Sequence, residues 1–274
     1  MSVAAAPHLD DVQQGALEAL RRDGIAIVPF GELFRDESLW AELRDDVGEF
    51  ATATEAQLAE PRRAVKGKSF IERRFLTKGA DARFGLDNRW LRLSVSSPVL
   101  DLVSAYRGGA VHLIDFDNWY TIPDPEALER VKSQQWHRDP WDEHITKVFV
   151  YFSDVDEDAG PFEYVRGSAP GGPHGDLWPW QPEGVYPPQD EFEAAVPRSD
   201  RVTATGPAGT VIFCDTSGFH RGGWAKSKPR ILSVHTYVGS TSTKQPRFEL
   251  DRSADDAGLS PTARSALSWS LDGA

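Results

Sequence analysis

The stretch "QQWHRDPWDEHITKVFVYFSDVDEDAGPFEYVRGS" runs from Gln134 to Ser168 and changes character twice. It opens as a polar loop in which His137, Asp139, Asp142, Glu143 and His144 crowd around Trp136 and Trp141. From Ile145 the residues "ITKVFVYF" are mostly β-branched or aromatic, which predicts a strand. "DEDAG" then reads as a turn and "PFEYV" as a second strand. A histidine-and-carboxylate loop feeding straight into a strand–turn–strand unit has two requirements. It needs further strands to form a β core, and further donors to complete a metal shell.

Both are present. "AVHLIDFDNWYTI" precedes the loop, and "GTVIFCD" and "RILSVHTYVG" follow it, separated by Gly, Pro, Asp and Ser clusters that suggest a sandwich or barrel. The first third is helical instead. "LDDVQQGALEALRRDG" places Val12, Ala16, Leu17 and Leu20 at helical spacing and stops at Gly24. "IAIVPF" (Ile25–Phe30) reads as a short buried strand, and "SLWAELRDDVGEFATATEAQL" sets Leu39, Leu43, Val47 and Phe50 on one helix face. The expectation is one α+β domain of 274 residues: a helical layer over 9–105, a β core over 110–240 and an extension over 241–274. Ala169–Asp200 is rich in Pro and Gly and has no periodicity. A structureless loop of that length reads as a lid, and Trp178, Trp180 and Tyr186 argue against pure disorder.

Composition narrows the partners. Lys and Arg total 30 against 42 Asp and Glu, a net charge of −12 that argues against nucleic acid or an anionic membrane. Cys214 is the single cysteine, so an intramolecular disulfide and a Cys-built metal site are excluded. "MSVAAAPHLDDVQQ" lacks the features of a signal peptide, and no run approaches the roughly 20 apolar residues of a membrane span. These features predict a cytoplasmic protein, and the acidic surface does not identify a substrate.

His137-Arg138-Asp139 has the form H-x-D, and on extended backbone residues two apart face the same side. A second copy, His174-Gly175-Asp176, has no strand leading into it and reads as loop. "GTVIFCDTSGFHRGG" ends an apolar strand in a Gly-flanked turn that presents His220, and ten residues later Arg230 opens the next strand. Two imidazoles and a carboxylate on a rigid scaffold form a facial triad with open positions, and a nearby Arg can clamp a carboxylate.

"QQWHRD", "KVFVYFSDVDEDAGPFEYVRGS" and "GPAGTVIFCDTSGFHRGG", followed by Pro229-Arg230, together resemble the phytanoyl-CoA dioxygenase-like family of Fe(II)/2-oxoglutarate-dependent oxygenases. "LRRDGIAIVPF" is similar to that family's opening helix and strand, and only 50–105 and 169–200 are unmatched. The resemblance implies a double-stranded β-helix, the cupin-like jelly-roll, with flanking N-terminal helices. It implies His137, Asp139 and His220 as catalytic iron ligands, Arg230 as partner of the distal carboxylate of 2-oxoglutarate, and Asn118 as an amide that helps hold this cosubstrate. The implied cofactors are Fe(II), 2-oxoglutarate and O2. The implied reaction is hydroxylation, or another oxidation, of an unactivated C–H bond in a small or carrier-bound metabolite, releasing succinate and CO2.

Related halogenases carry a small residue in place of the carboxylate, so Asp139 points to oxygen-derived oxidation. Ala169 stands where relatives often carry a His, at a position that is usually structural. Two other classes compete: a non-oxidative cupin-like metalloenzyme, an isomerase or hydrolase with the same shell, and a metal-free binding module. Arg230 separates the first, since an enzyme independent of 2-oxoglutarate has no need of the clamp. The survival of all four residue types counts against the second.

The remaining candidates have plainer readings. Trp119 and Phe149 are expected beside the pocket, and Trp136, Trp141 and Trp224 either line it or pack in its wall. Arg138 and Arg221 should point away from the ion. His144 is a loop residue, and His112 and His235 are hydrogen-bonded histidines within strands. Alternation puts His235 opposite the face shared by Arg230, Leu232 and Val234, and Cys214 reads as a small buried apolar residue. The basic run "PRRAVKGKSFIERRF" is a solvated loop or a contact for an anionic group; with the lid aromatics it would suit a polar, anionic or sugar-like substrate.

Overall fold

The computed structural model describes residues 8–59, 72–74, 83–251 and 258–271, so the Arg62–Lys68 patch lies outside it. Helix α1 (Asp11–Asp23) starts at a reciprocal cap. Asp10 Oδ1 accepts from the Gln13 amide at 2.9 Å, and Gln13 Oε1 accepts from the Asp10 amide at 3.0 Å. The helix ends at Gly24, φ 80°, where an added Cβ would also collide with the Tyr164 hydroxyl. Strand β1 (Ile25–Pro29) follows. Phe30, expected to close that strand, begins α2 (Phe30–Phe34) instead, although its amide still donates to the Gly209 carbonyl at 2.7 Å.

The N-terminal layer continues through α3 (Glu37–Ala59), β2 (Glu72–Arg74), β3 (Arg83–Phe84), α4 (Arg89–Ser94) and α5 (Ser97–Arg107). The core then runs β4 (Val111–Thr121), β5 (Ile145–Tyr151), β6 (Phe162–Val165), α6 (Gln189–Ala195), β7 (Arg201–Ala204), β8 (Thr210–Asp215), β9 (His220–Arg221) and β10 (Arg230–Gly239). Strand β11 (Glu249–Leu250) pairs with β3, and α7 (Pro261–Leu271) packs on β4.

The six-stranded sheet β1-β8-β5-β10-β4-β2 is antiparallel throughout, and the sheet β7-β6-β9 faces it to complete the jelly-roll. The larger sheet is covered on both sides, so its strands read as unbroken apolar runs instead of alternating. Val148, Val150, Phe213 and Tyr237 pack under the helices with Leu20, Leu43 and Trp90. Phe149, Tyr151, Ile212, Leu232 and Val234 face Phe162 and Tyr164 of the smaller sheet. A buried ion pair ties the helices to the core. An Arg107 guanidinium nitrogen lies 3.1 Å from Asp215, whose carboxylate also accepts from the Tyr106 hydroxyl at 2.9 Å.

Two regions gain detail from the structure. Residues 169–200 are not structureless: they contain α6, which buries Phe192, and a 3-10 turn at Arg198–Asp200. The region after 240 is built into the fold, with Trp269 of α7 stacked on His112 at 3.8 Å. Among the described residues no helix is long and apolar enough to cross a membrane.

His235 lies on the helix side of β10, as alternation requires. Ser94 Oγ donates its proton to the Trp90 carbonyl, so His235 Nδ1 donates to that oxygen at 2.7 Å and Nε2 accepts from Ser233 Oγ at 3.1 Å. Burial pushes this imidazole down to about 3, so it is neutral in the fold and takes up a proton on unfolding at mildly acid pH. Its contribution to stability is therefore complete above about 6.5 and is lost as the pH falls from there toward 3. Urea denaturation from pH 7 to pH 4.5 should show stability falling with pH, and His235→Gln should flatten that limb by about 1.4 kcal/mol per pH unit. An identical slope in the variant would mean that His235 does not hold its proton-free state.

Candidate metal centre

The H-x-D segment is extended because it is paired. The His137 amide donates to the His220 carbonyl at 3.0 Å, the His220 amide returns the bond at 2.9 Å, and the Asp139 amide donates to the Thr216 carbonyl at 2.9 Å. His220 is in turn paired with Tyr164 of β6, so both histidines belong to the smaller sheet's ladder. Alternation then sends His137 and Asp139 to one side and Arg138 to the other. Arg138 lies over the Phe219 ring at 4.2 Å and donates to the Ser168 carbonyl at 3.1 Å.

One ligand atom from each of His137, Asp139 and His220 falls within 4.8 Å of the others. Each histidine has its Nδ1 against a carbonyl: Gln135 at 2.8 Å for His137 and Gly218 at 3.0 Å for His220. A carbonyl only accepts, so Nδ1 carries the proton and the lone pair is left on Nε2, the tautomer a metal ligand needs. Burial and the neighbouring His137 push His220 down to about 3, which keeps it neutral and ligand-competent at physiological pH. Burial alone would raise the Asp139 carboxyl, but Lys147 and the two histidines outweigh it and hold it well below the usual carboxylate range. Lys147 Nζ sits 2.6 Å from Asp139 Oδ2.

Arg230 opens β10 opposite Thr121 of β4, on the face shared with Leu232 and Val234. It is 5 % exposed. Its guanidinium donates to the Gly160 carbonyl and, at 3.5 Å, to Thr121 Oγ1, while Nε has no hydrogen-bond partner. Among the described residues no carboxylate lies within ion-pair distance of it. Gly160 reaches this position because the 160 turn packs backbone to backbone on Gly223, where a Cβ would not fit. A cavity of about 230 Å³ joins the His–Asp–His cluster to Arg230, with Trp119, Thr121, Phe149 and Phe162 in its walls.

The other sequence candidates are distributed as follows. Trp119 and Phe149 line the cavity; Asn118 does not. Successive residues of β4 face opposite ways, so with Trp119 and Thr121 in the cavity wall Asn118 falls with Phe116 and Tyr120 on the helix side. Trp136 is fully buried behind the site with Phe192 and Phe219, whereas Trp141 borders the cavity. Arg221 points away, paired with Glu163 at 2.7 Å and Glu193 at 2.6 Å. His174 bonds Asp200 at 2.8 Å, away from the cluster. From the 169–200 segment, Pro182–Tyr186 line the cavity, with the Tyr186 ring 5.9 Å from that of His137. Trp178 and Trp180 do not line it, and Trp180 lies over Arg138 at 5.6 Å. Lys147 was not singled out from the sequence. Its signal was a lone ammonium inside "ITKVFVYF", in phase with Phe149.

No protein-family model and no curated protein matches this chain. Solved structures do. EctD from S. alaskensis, with 2-oxoglutarate and 5-hydroxyectoine, is 16% identical over 98% of this chain and 87% of its own, with a TM-score of 0.57. AviO1 from Streptomyces viridochromogenes Tue57 is 20% identical over 88% and 100%, TM-score 0.56. SnoN, a non-heme α-ketoglutarate-dependent epimerase from nogalamycin biosynthesis, is 17% identical over 86% of each chain, TM-score 0.53. At such identities the likeness is one of fold.

The cluster should bind one divalent ion. Isothermal titration with Mn(II) should give a single site, weakened by at least about a hundredfold in His137→Ala and in His220→Ala. His174→Ala should bind as the wild type does, and equal loss in all three variants would count against this cluster.

Proposed function

We propose that this chain is an Fe(II)/2-oxoglutarate-dependent oxygenase acting on a C–H bond of a small or carrier-bound metabolite. The observation that carries the reading is the Arg230 guanidinium, buried in the wall of the cavity that holds the His–Asp–His cluster and, among the described residues, in direct ion-pair contact with no carboxylate, Glu72 and Glu163 acting on it only from farther off. A buried cation with no carboxylate in contact is costly, and a ligand anion is an ordinary remedy. The non-oxidative cupin-like alternative gives that group no task.

On this reading His137, Asp139 and His220 would hold the iron, and three protein ligands leave positions for other donors. Arg230 would take the distal carboxylate of 2-oxoglutarate, with Thr121 beside it. When bound, iron and 2-oxoglutarate supply O2 activation coupled to decarboxylation, giving succinate, CO2 and an oxidised substrate. The protein's own work is to fix the Nε2 tautomers, keep His220 unprotonated and line the reaction space with Phe149, Phe162 and Trp119, which exclude water.

The substrate end is more polar. Glu72, Arg74, Asp115 and Arg247 also line the cavity, which suits a molecule with hydroxyl or charged groups better than a hydrocarbon. Residues 169–200 serve as its cover through Pro182–Tyr186. The structural relatives include an epimerase and an enzyme crystallised with a hydroxylated compound, so the fate of the substrate carbon varies among proteins of this fold.

Anaerobic titration of the apo-protein with Fe(II) and 2-oxoglutarate should develop the weak visible charge-transfer band of the chelate. Arg230→Ala should need roughly a hundredfold more 2-oxoglutarate to reach it. Metal binding without the band in the wild type would favour the cupin-like class and sink the oxygenase reading.

A further inference from the structure

Lys147 stands in an unusual place. Its ammonium is 2.6 Å from Asp139 Oδ2, and that same oxygen is 3.9 Å from Nε2 of His220. The lysine is 7 % exposed, and its Nζ lies 4.8 Å from the centre of the Trp141 ring, so packing restricts where it can go. Asp139 is its one carboxylate partner among the described residues. Arg247 and Lys244 approach the same Trp141 ring at 4.8 Å and 5.7 Å, and Arg247 is paired with Asp115 at 3.4 Å. The oxygen nearest His220 is therefore already held by a positive charge whose ion-pair contact, among the described residues, is with Asp139.

Resting on the metal-site reading above, we propose that Lys147 is a positioning residue that competes with the divalent ion for Asp139 and so couples metal binding to binding of an anion. Without the metal, the ammonium neutralises Asp139 and keeps the carboxylate charged and aimed at His220. A metal ion binding to Asp139 takes over that oxygen and leaves a buried ammonium to be compensated. A dicarboxylate does most of this, since the divalent ion, Lys147 and Arg230 against Asp139 leave an excess of positive charge in the cavity that a dianion largely cancels. Metal alone is then held more weakly than the ligand set would allow, and the anion restores the difference. Linkage makes the effect reciprocal: the factor by which the dianion tightens the metal is the factor by which the metal tightens the dianion.

The test needs no turnover. The free Mn(II) signal in electron paramagnetic resonance gives the Mn(II) dissociation constant with and without saturating 2-oxoglutarate. In K147M, Mn(II) alone should bind roughly tenfold more tightly than in wild type, and the tightening produced by 2-oxoglutarate should shrink by a similar factor. K147R, which keeps the charge, should behave like wild type. K147Q, which can still donate a hydrogen bond to Asp139, guards against a variant that fails to fold and should follow K147M. Unchanged or weaker Mn(II) binding in folded K147M or K147Q would overturn the competition, leaving the metal site itself standing. A wild-type protein that binds no Mn(II) would overturn the site reading, and this inference with it.

Discussion

The reciprocal pair of backbone hydrogen bonds between His137 and His220 sets the geometry on which the candidate centre depends. The two residues are far apart in sequence, His137 on a loop and His220 opening β9. Once their backbones are paired, the imidazoles stand side by side, 4.3 Å between ring centres, with no further instruction. The same pairing fixes the phase of the H-x-D segment, so Asp139 follows His137 into the site while Arg138 turns to Phe219. Ligand convergence is thus mainly a property of the sheet. Side-chain contacts refine it through the Gln135 and Gly218 carbonyls, which choose the tautomer.

A second layer of polar contacts holds this arrangement from behind. Arg221, next to His220, bridges Glu163 of β6 and Glu193 of α6 and lies over the Trp136 ring at 4.3 Å. Trp136, next to His137, bonds α6 twice: its amide donates to Gln189 at 2.6 Å and its indole to Glu193 at 3.2 Å. The residues flanking the two histidines thereby fasten α6, the ordered part of the long Pro- and Gly-rich segment, to the wall that carries the ligands. Breaking one member leaves buried charge uncompensated, which usually costs more than the pair contributes when intact.

What the sequence made legible follows from periodicity. Strand alternation was enough to separate Arg230 from His235, and H-x-D with a Gly-flanked histidine was enough to gather the three candidate ligands. Asn118 lies apart from them for the same physical reason. Adjacent strand residues cannot share a face, so the expectation that Trp119 borders the pocket already sent Asn118 elsewhere. The phase of β4 is hard to read because both faces are buried and because a bulge between Thr236 and Tyr237 of β10 shifts its register. Helix α6 was missed because it is too short for a clear period and depends on Trp136, more than fifty residues away, for its anchorage. Lys147 was missed because only assembled strands show which carboxylate a buried lysine meets.

Strand β10 carries unlike chemistry on its two sides: Arg230 toward the cavity, and neutral His235 among the helices with Ser94. It is also central, paired with β4 on one edge and β5 on the other. Its two faces are therefore not interchangeable, and the strand has almost no freedom of length. An inserted or deleted residue between Arg230 and His235 would turn one of them to the wrong side, burying a guanidinium under the helices or an imidazole beside the ligand set. The Lys226–Pro229 link before it is mostly exposed and bears no such constraint. Across sequences of this fold, variation in length should therefore gather in that link and spare the ten residues after it.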